Sequence, residues 1–190
     1  MNGAEKQIAE LLGQIERRDF AVVDDPRIGR LASLVHIAEQ YGFRYEQSRH
    51  VGKVMQVHMV RDPRPEAAER ALATRAAFPS AGQASGTVPG MRPRRLSPLP
   101  EAAERVRALG RRIEYDAMDD PELRAKAAIV GVPAVVSALL VLPAGTGPAL
   151  LVGALMAGFA AAVLGWTAVR KNWLKQRLRE TEPEWVAAPK

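Results

Sequence analysis

The sequence predicts a small α+β domain at the N-terminus (helix–helix–β-hairpin–helix), followed by a C-terminal transmembrane hairpin of two helices. Three observations carry this expectation. Apolar residues recur with a helical period over residues 4–18 and 27–41, and with a period of two over 43–60. Residues 79–100 are dominated by Pro, Gly, Ser and Ala. Residues 127–169, a run of 43, contain no Asp, Glu, Lys, Arg or His. Bulk composition conceals this division. A chain of 190 residues with 47% hydrophobic and 25% charged residues is average for a soluble protein, and a net charge of +6 suggests a nucleic-acid binder. Cysteine is absent, which excludes disulfide frameworks, thiol catalysis and thiolate zinc sites.

Within residues 1–78 the first element is an amphipathic helix, with Ile8, Leu11, Leu12 and Ile15 at i, i+3, i+4 and i+7 on one face. Phe20, Ala21, Val22 and Val23 suit a short strand or an extended connection. Asp25 and Pro26 then cap a second helix, whose Ile28, Leu31, Leu34, Val35, Ala38 and Tyr41 form a broad apolar face, and Gly42 ends it. Residues 43–47 and 54–60 alternate as two strands of a hairpin around Gly52. Met55, Val57 and Met59 are expected to face the core, with Gln56 and His58 facing out. A third helix starts at Asp62-Pro63-Arg64-Pro65 and runs to about Phe78. A domain of this size is near the lower limit for an independent core, so it is expected to need a partner or its own copy.

Residues 79–100 read as a flexible linker without core-forming residues. Residues 101–120 form a basic amphipathic juxtamembrane helix and connector. Ala102, Val106, Leu109 and Ile113 lie on one stripe, beside Arg105, Arg107, Arg111 and Arg112. Two placements are open for that stripe: the membrane interface, or the surface of the N-terminal domain.

Residues 121–169 are the predicted hairpin. Pro143, Gly145, Gly147 and Pro148 make its turn and divide it into segments 121–142 and 148–169. At ~1.5 Å per residue, each segment is about 33 Å long, enough for a hydrocarbon core of ~30 Å. Arg124 and Lys126 can snorkel to headgroups at the start. Trp166, Arg170, Lys171 and Trp173 form an aromatic and basic belt at the end, leading into a basic tail, residues 170–190. The basic flanks and uncharged loop place both termini in the cytoplasm at the inner (plasma) membrane, and the polar N-terminus is unlike a secretory signal. Ala154, Gly158 and Ala162 recur every four residues as a small-residue packing ridge, which receives either the first helix or another copy of the chain.

No pattern of catalytic or metal-ligating residues emerges. His36, His50 and His58 have no ligand spacing, the paired Asp residues precede prolines, and neither a serine elbow nor a phosphate loop is present. The expectation is therefore no enzyme, cofactor or metal. The order of residues 27–78 resembles a double-stranded-RNA-binding domain or a winged fold, but its third helix opens with Glu66 and Glu69 where the RNA-binding fold presents lysines. Residues 1–90 hold 12 basic and 11 acidic groups, so the positive charge belongs to the later stripes and nucleic acid is not the expected partner.

The function expected from the sequence is a membrane-anchored adaptor or scaffold. It would present an interaction domain to an unknown cytosolic protein, with anionic headgroups under its basic flanks. The alternative is a pore-forming or membrane-permeabilising protein, holin-like or toxin-like, acting through an oligomer of the glycine-rich hairpin.

Overall fold

The computed structural model describes residues 2–118 and, beyond them, 169, 172–174 and 176. The chain divides into two compact units, Met1–Ala117 and Met118–Lys190, and the sheet with its covering helices belongs to the first.

Helix α1 (Gly3–Arg17) starts at an Asn2 capping box. The Asn2 Oδ1 accepts from the Ala4 and Glu5 amides, while the Glu5 carboxylate accepts from the Asn2 amide at 2.6 Å. Its predicted stripe, Ile8, Leu11, Leu12 and Ile15, is buried. Strand β1 (Phe20–Asp25) leads to helix α2 (Ile28–Gln40), then to strands β2 (Phe43–Val51) and β3 (Val54–Arg61), and to helix α3 (Pro65–Ala77). The β2–β3 turn has two residues, with Gly52 at φ 64° in the first position, the position that glycine occupies in a type II′ turn.

The three strands are ordered β1-β3-β2, and both pairs are antiparallel. β1 and β2 therefore run parallel on either side of β3, and α2 is the crossover of a split β–α–β unit. Ala21, Val23, Phe43, Tyr45, Met55, Val57 and Met59 turn to the buried face, as the alternation in β3 predicts. A bulge between Tyr45 and Gln47 resets β2. Unbroken alternation from Tyr45 would turn Gln47 into the core; with the bulge at Glu46, Ser48 takes that face instead, and its hydroxyl donates to the Ile113 carbonyl at 3.0 Å.

The two Asp-Pro-Arg motifs start helices in a way that differs from the expected cap. In Asp25-Pro26-Arg27 and Asp62-Pro63-Arg64 the carboxylate accepts the backbone N–H of the arginine, at 2.8 and 3.2 Å. The arginine, not the aspartate, is the N-cap, and neither arginine makes a side-chain capping bond. Each aspartate shapes the turn ahead of its helix. At the other end of α2, Gly42 has φ 82°, and a Cβ there would meet the Ala67 carbonyl and Ala71 Cβ at 3.1 Å. The small residues of α3 thus dock against a bare backbone, and Leu72 is left 65% exposed.

The chain beyond α3 corrects one expectation and decides between two placements left open. Residues 79–99 are not a free linker: Val88 and Met91 are buried in the core, with Ala81 and Leu96 packed against it. This strap is pinned by its own turns and by α1 and α2. The Arg92 amide donates to the Ser97 carbonyl at 2.9 Å and Leu99 to Gly90 at 2.8 Å, Asn2 Nδ2 donates to Arg94, and Ser33 Oγ reaches the Leu96 carbonyl. Helix α4 (Pro100–Met118) then buries the predicted stripe, Ala102, Val106, Leu109 and Ile113, against the same domain. Of the two placements open to that stripe, the domain takes it, so its apolar side is not free for a membrane interface. The physical reason is α2, whose residues 31–38 are all buried. The sheet, α1 and α3 cover only part of that helix, and the strap and α4 cover the rest. Each Val, Leu, Ile or Met so buried contributes about 1.5–3 kcal/mol relative to exposure.

Candidate functional site

The sheet has one face under helices and one face open. On the open face the register builds three cross-strand rows: Phe20–Val60–Arg44, Val22–His58–Gln47 and Asp24–Gln56–Arg49. Phe20 is 52% exposed, with the Arg18 guanidinium 5.6 Å from its ring centre. Val22 and Val60 are half-buried beside it, so one corner is apolar and the opposite rows are polar.

The polar rows are ordered by the Gln56 amide oxygen. It accepts from Arg49 Nε at 3.2 Å and Nη2 at 3.0 Å, and lies 3.1 Å from His58 Nε2. Because that oxygen accepts, Nε2 carries the hydrogen and Nδ1 is left as an acceptor. Burial and the Arg49 cation lower the His58 pKa from its ordinary value, against an opposing pull from Glu46. The shift favours the neutral imidazole, which stands on this face beside the charges of Asp24, Arg44 and Arg49.

From the apolar corner the surface runs into an open groove between α1 and β1, lined by Glu10, Gln14, Arg17, Arg18, Phe20 and Val22. β1 is an edge strand, and Val22 points its backbone groups away from β3. Gln14 takes both: its Oε1 accepts from the Val22 amide at 2.8 Å and its Nε2 donates to the Val22 carbonyl at 3.1 Å. A side-chain amide stands where a neighbouring strand would pair.

The other ionisable groups are structural. Asp25 is buried; burial raises its pKa, but hydrogen bonds from Gln7 and the Arg27 amide and the charges of Arg30 and Arg27 outweigh this and lower it overall. The Arg64 fork holds the Asp62 carboxyl below the usual range. Among the described residues no cluster of three or more His, Cys, Asp or Glu could hold a metal ion.

The membrane residues expected from the sequence fall largely elsewhere. Arg124, Lys126, Trp166, Arg170 and Lys171, the ridge Ala154, Gly158 and Ala162, and both segments of the hairpin lie outside the described residues. Trp173 is described: it is helical and 51% exposed. Among the described residues no helix is long and apolar enough to cross a membrane. The outward placement of Gln56 and His58 is legible from alternation. Sequence reasoning misses Phe20 as a site residue, although its place in a strand apolar at four successive positions signals two partly covered faces. The chain matches no protein-family model, no curated protein and no solved structure.

Proposed function

We propose that the protein is a membrane-anchored adaptor that holds an α+β interaction domain at the inner membrane surface. The observation that supports this is the uncharged run of 43 residues, 127–169, framed by Arg124 and Lys126 before it and Arg170 and Lys171 after it. Residues 79–99 belong to the domain, so they supply no reach, and α4 ends only a few residues before the run begins. Recruitment then acts close to the bilayer, where a bound partner gains effective concentration. The open sheet face is the surface offered to that partner, a protein with an apolar side chain for the Phe20–Val60 corner and an acceptor for Arg44.

Alkaline carbonate and high-salt washing of membranes is the decisive experiment. The full chain stays in the pellet through both washes; release into the supernatant overturns the anchor. A photo-crosslinker placed at Arg44 or Gln47 captures one discrete partner, whereas the same group at Ala73 on α3 does not. Equal capture from all three positions refutes the sheet face as the docking surface.

The ridge Ala154, Gly158 and Ala162 favours the second reading, an oligomeric pore. Membrane potential recorded during induced expression separates the two. An adaptor leaves it unchanged, while a pore collapses it and Gly158→Leu restores it.

A further inference from the structure

The three cross-strand rows of the open sheet face carry a pattern that is complementary to itself. In each row β1 supplies the residue on one side, β3 the middle one and β2 the residue on the other side. Asp24 and Arg44, at diagonal corners, are exposed, and their side chains make no hydrogen bond or ion pair among the described residues. Arg49 is exposed as well, and its guanidinium is held in place by the Gln56 amide oxygen. Phe20, at the remaining corner, has Arg18 over its ring and is still 52% exposed.

Two such faces can stack about 10 Å apart with their strands aligned within about 30°. The twofold axis between them then runs either along the strands or across them. An axis along the strands sets the β1 side of one copy over the β2 side of the other within the same row. Asp24 then meets Arg49 of the second copy and Phe20 meets its Arg44, each twice, while Val60, His58 and Gln56 face their own counterparts. These are two ion pairs, two cations on aromatic rings and an apolar contact. Arg18 comes to the side where the second copy carries both Arg44 and Glu46, so an acid stands against the extra cation. At the axis, the shift that favours neutral His58 spares the stack a pair of like charges. An axis across the strands sets Arg44 over Arg49 and Phe20 over Asp24 instead, and both contacts are unfavourable.

We infer that the open sheet face binds a second copy of this chain, face to face about a twofold axis parallel to the strands. This rests on the docking role proposed for the face and names its occupant. The three rows cover roughly 300 Å² on each copy, from the spacing of strands and residues. A standard stable complex buries about 800 Å² per partner, so pairing in free solution is weak. Two chains anchored in one membrane meet at a much higher effective concentration, which makes a contact of this size sufficient.

The chain contains no cysteine, so single thiols report the stacking directly. The full chain is reconstituted in phosphatidylcholine vesicles and treated with a short bis-maleimide that spans about 10 Å. His58→Cys, on the axis, links to its own copy. Val22→Cys and Gln47→Cys each link poorly alone but link to one another when both variants share a vesicle, and Ala73→Cys on α3 stays monomeric. Asp24→Arg and Arg49→Asp each lower the yield from His58→Cys about tenfold, and the two reversals together restore it. Failure of His58→Cys to link, or linking that Ala73→Cys matches, overturns the inference. Self-linking of Val22→Cys and of Gln47→Cys without a mixed product overturns the axis along the strands. A photo-crosslinker at Gln47 that captures a different protein in the native membrane, with no self-linking, overturns the second copy alone and leaves the docking face standing. No adduct of either kind overturns both.

Discussion

The Tyr45 hydroxyl donates to Asp116 Oδ2 at 2.7 Å, joining the core face of β2 to the last turn of α4 across 71 positions of sequence. Burial and the neighbouring Asp116 charge raise the Tyr45 pKa, so the phenol stays protonated and remains a donor at any physiological pH. Arg112 completes the contact, its guanidinium 4.6 Å from the Tyr45 ring centre. Tyr45→Phe is expected to cost roughly 1–2 kcal/mol. Asp116→Asn should cost less on its own, and a double-mutant cycle should show coupling of about 1 kcal/mol by chemical denaturation. Strictly additive losses would mean that the hydroxyl and carboxylate do not act as a pair.

Gly90 lies over His36 at φ 70°, and a Cβ there would meet His36 Nε2 at 2.7 Å and Ala102 Cβ at 2.9 Å. Gly52 has a similar φ of 64° but open space around it. The two glycines therefore separate backbone conformation from crowding. Gly52→Ala should cost about 1–2 kcal/mol for conformation alone. Gly90→Ala adds overlap with the histidine and α4, for a total of about 2–4 kcal/mol. Amide exchange should speed up across residues 79–99 in the Gly90 variant and not in the Gly52 variant. Equal protection of the strap in both would show that Gly90 does not seat it.

The contrast between α3 and the strap shows what the sequence could and could not disclose. Helices α1, α2 and α3 and the β2–β3 hairpin follow from periodicity and turn residues, and the stripe on α4 is legible down to Ala102, Val106, Leu109 and Ile113. Its destination is not, because the same stripe suits a membrane interface or a protein core. The strap reads as loose because its composition is that of a linker. It packs by placing Val88 and Met91 between tight turns with positive φ at Gly82, Ser85, Gly90 and Arg94, which periodicity does not register. A domain ending near residue 78 does look too small to stand alone. The missing cover comes from the same chain. The Glu46 bulge likewise leaves no trace, having neither glycine nor proline beside it.

Acid should loosen the domain in two stages. Burial lowers the His36 pKa below its ordinary 6.5, with Arg105 lowering it further and Glu39 opposing. The unfolded chain therefore binds that proton more readily, and the stability due to neutral His36 is full above pH 6.5 and is lost as pH falls towards the folded value. Asp25 and Asp62, lowered from 3.8, contribute stability that is present above that value and is lost as pH falls below it. Thermal melts across the range from about pH 7 to about pH 3 should show an initial decline that His36→Gln reduces, leaving the part due to His58, whose pKa is also lowered, and a second decline that it leaves intact. A melting temperature independent of pH between about 7 and 5 in the native chain would contradict the first stage.

Gln14 offers the sharpest test of how the sheet edge is kept from pairing. Its amide satisfies both outward backbone groups of Val22, so a strand from another molecule must displace it before the edge can extend. Asp24 and Arg18 put charge near the two ends of that edge, which discourages an incoming strand further. Gln14→Ala removes two hydrogen bonds at a partly exposed place, where water replaces them, so the stability loss should stay near about 1 kcal/mol. The larger effect should be on association. Gln14→Ala is expected to show concentration-dependent self-association by light scattering, together with faster exchange of the Val22 amide at high dilution. Gln14→Glu distinguishes the role of the amide from that of side-chain bulk: a carboxylate still accepts from the Val22 N–H but repels its carbonyl, so it should restore half of the pairing and, by charge, keep the edge single. If Gln14→Ala remained as dispersed as the native chain at every concentration, the edge would owe its isolation to Asp24 and Arg18 instead.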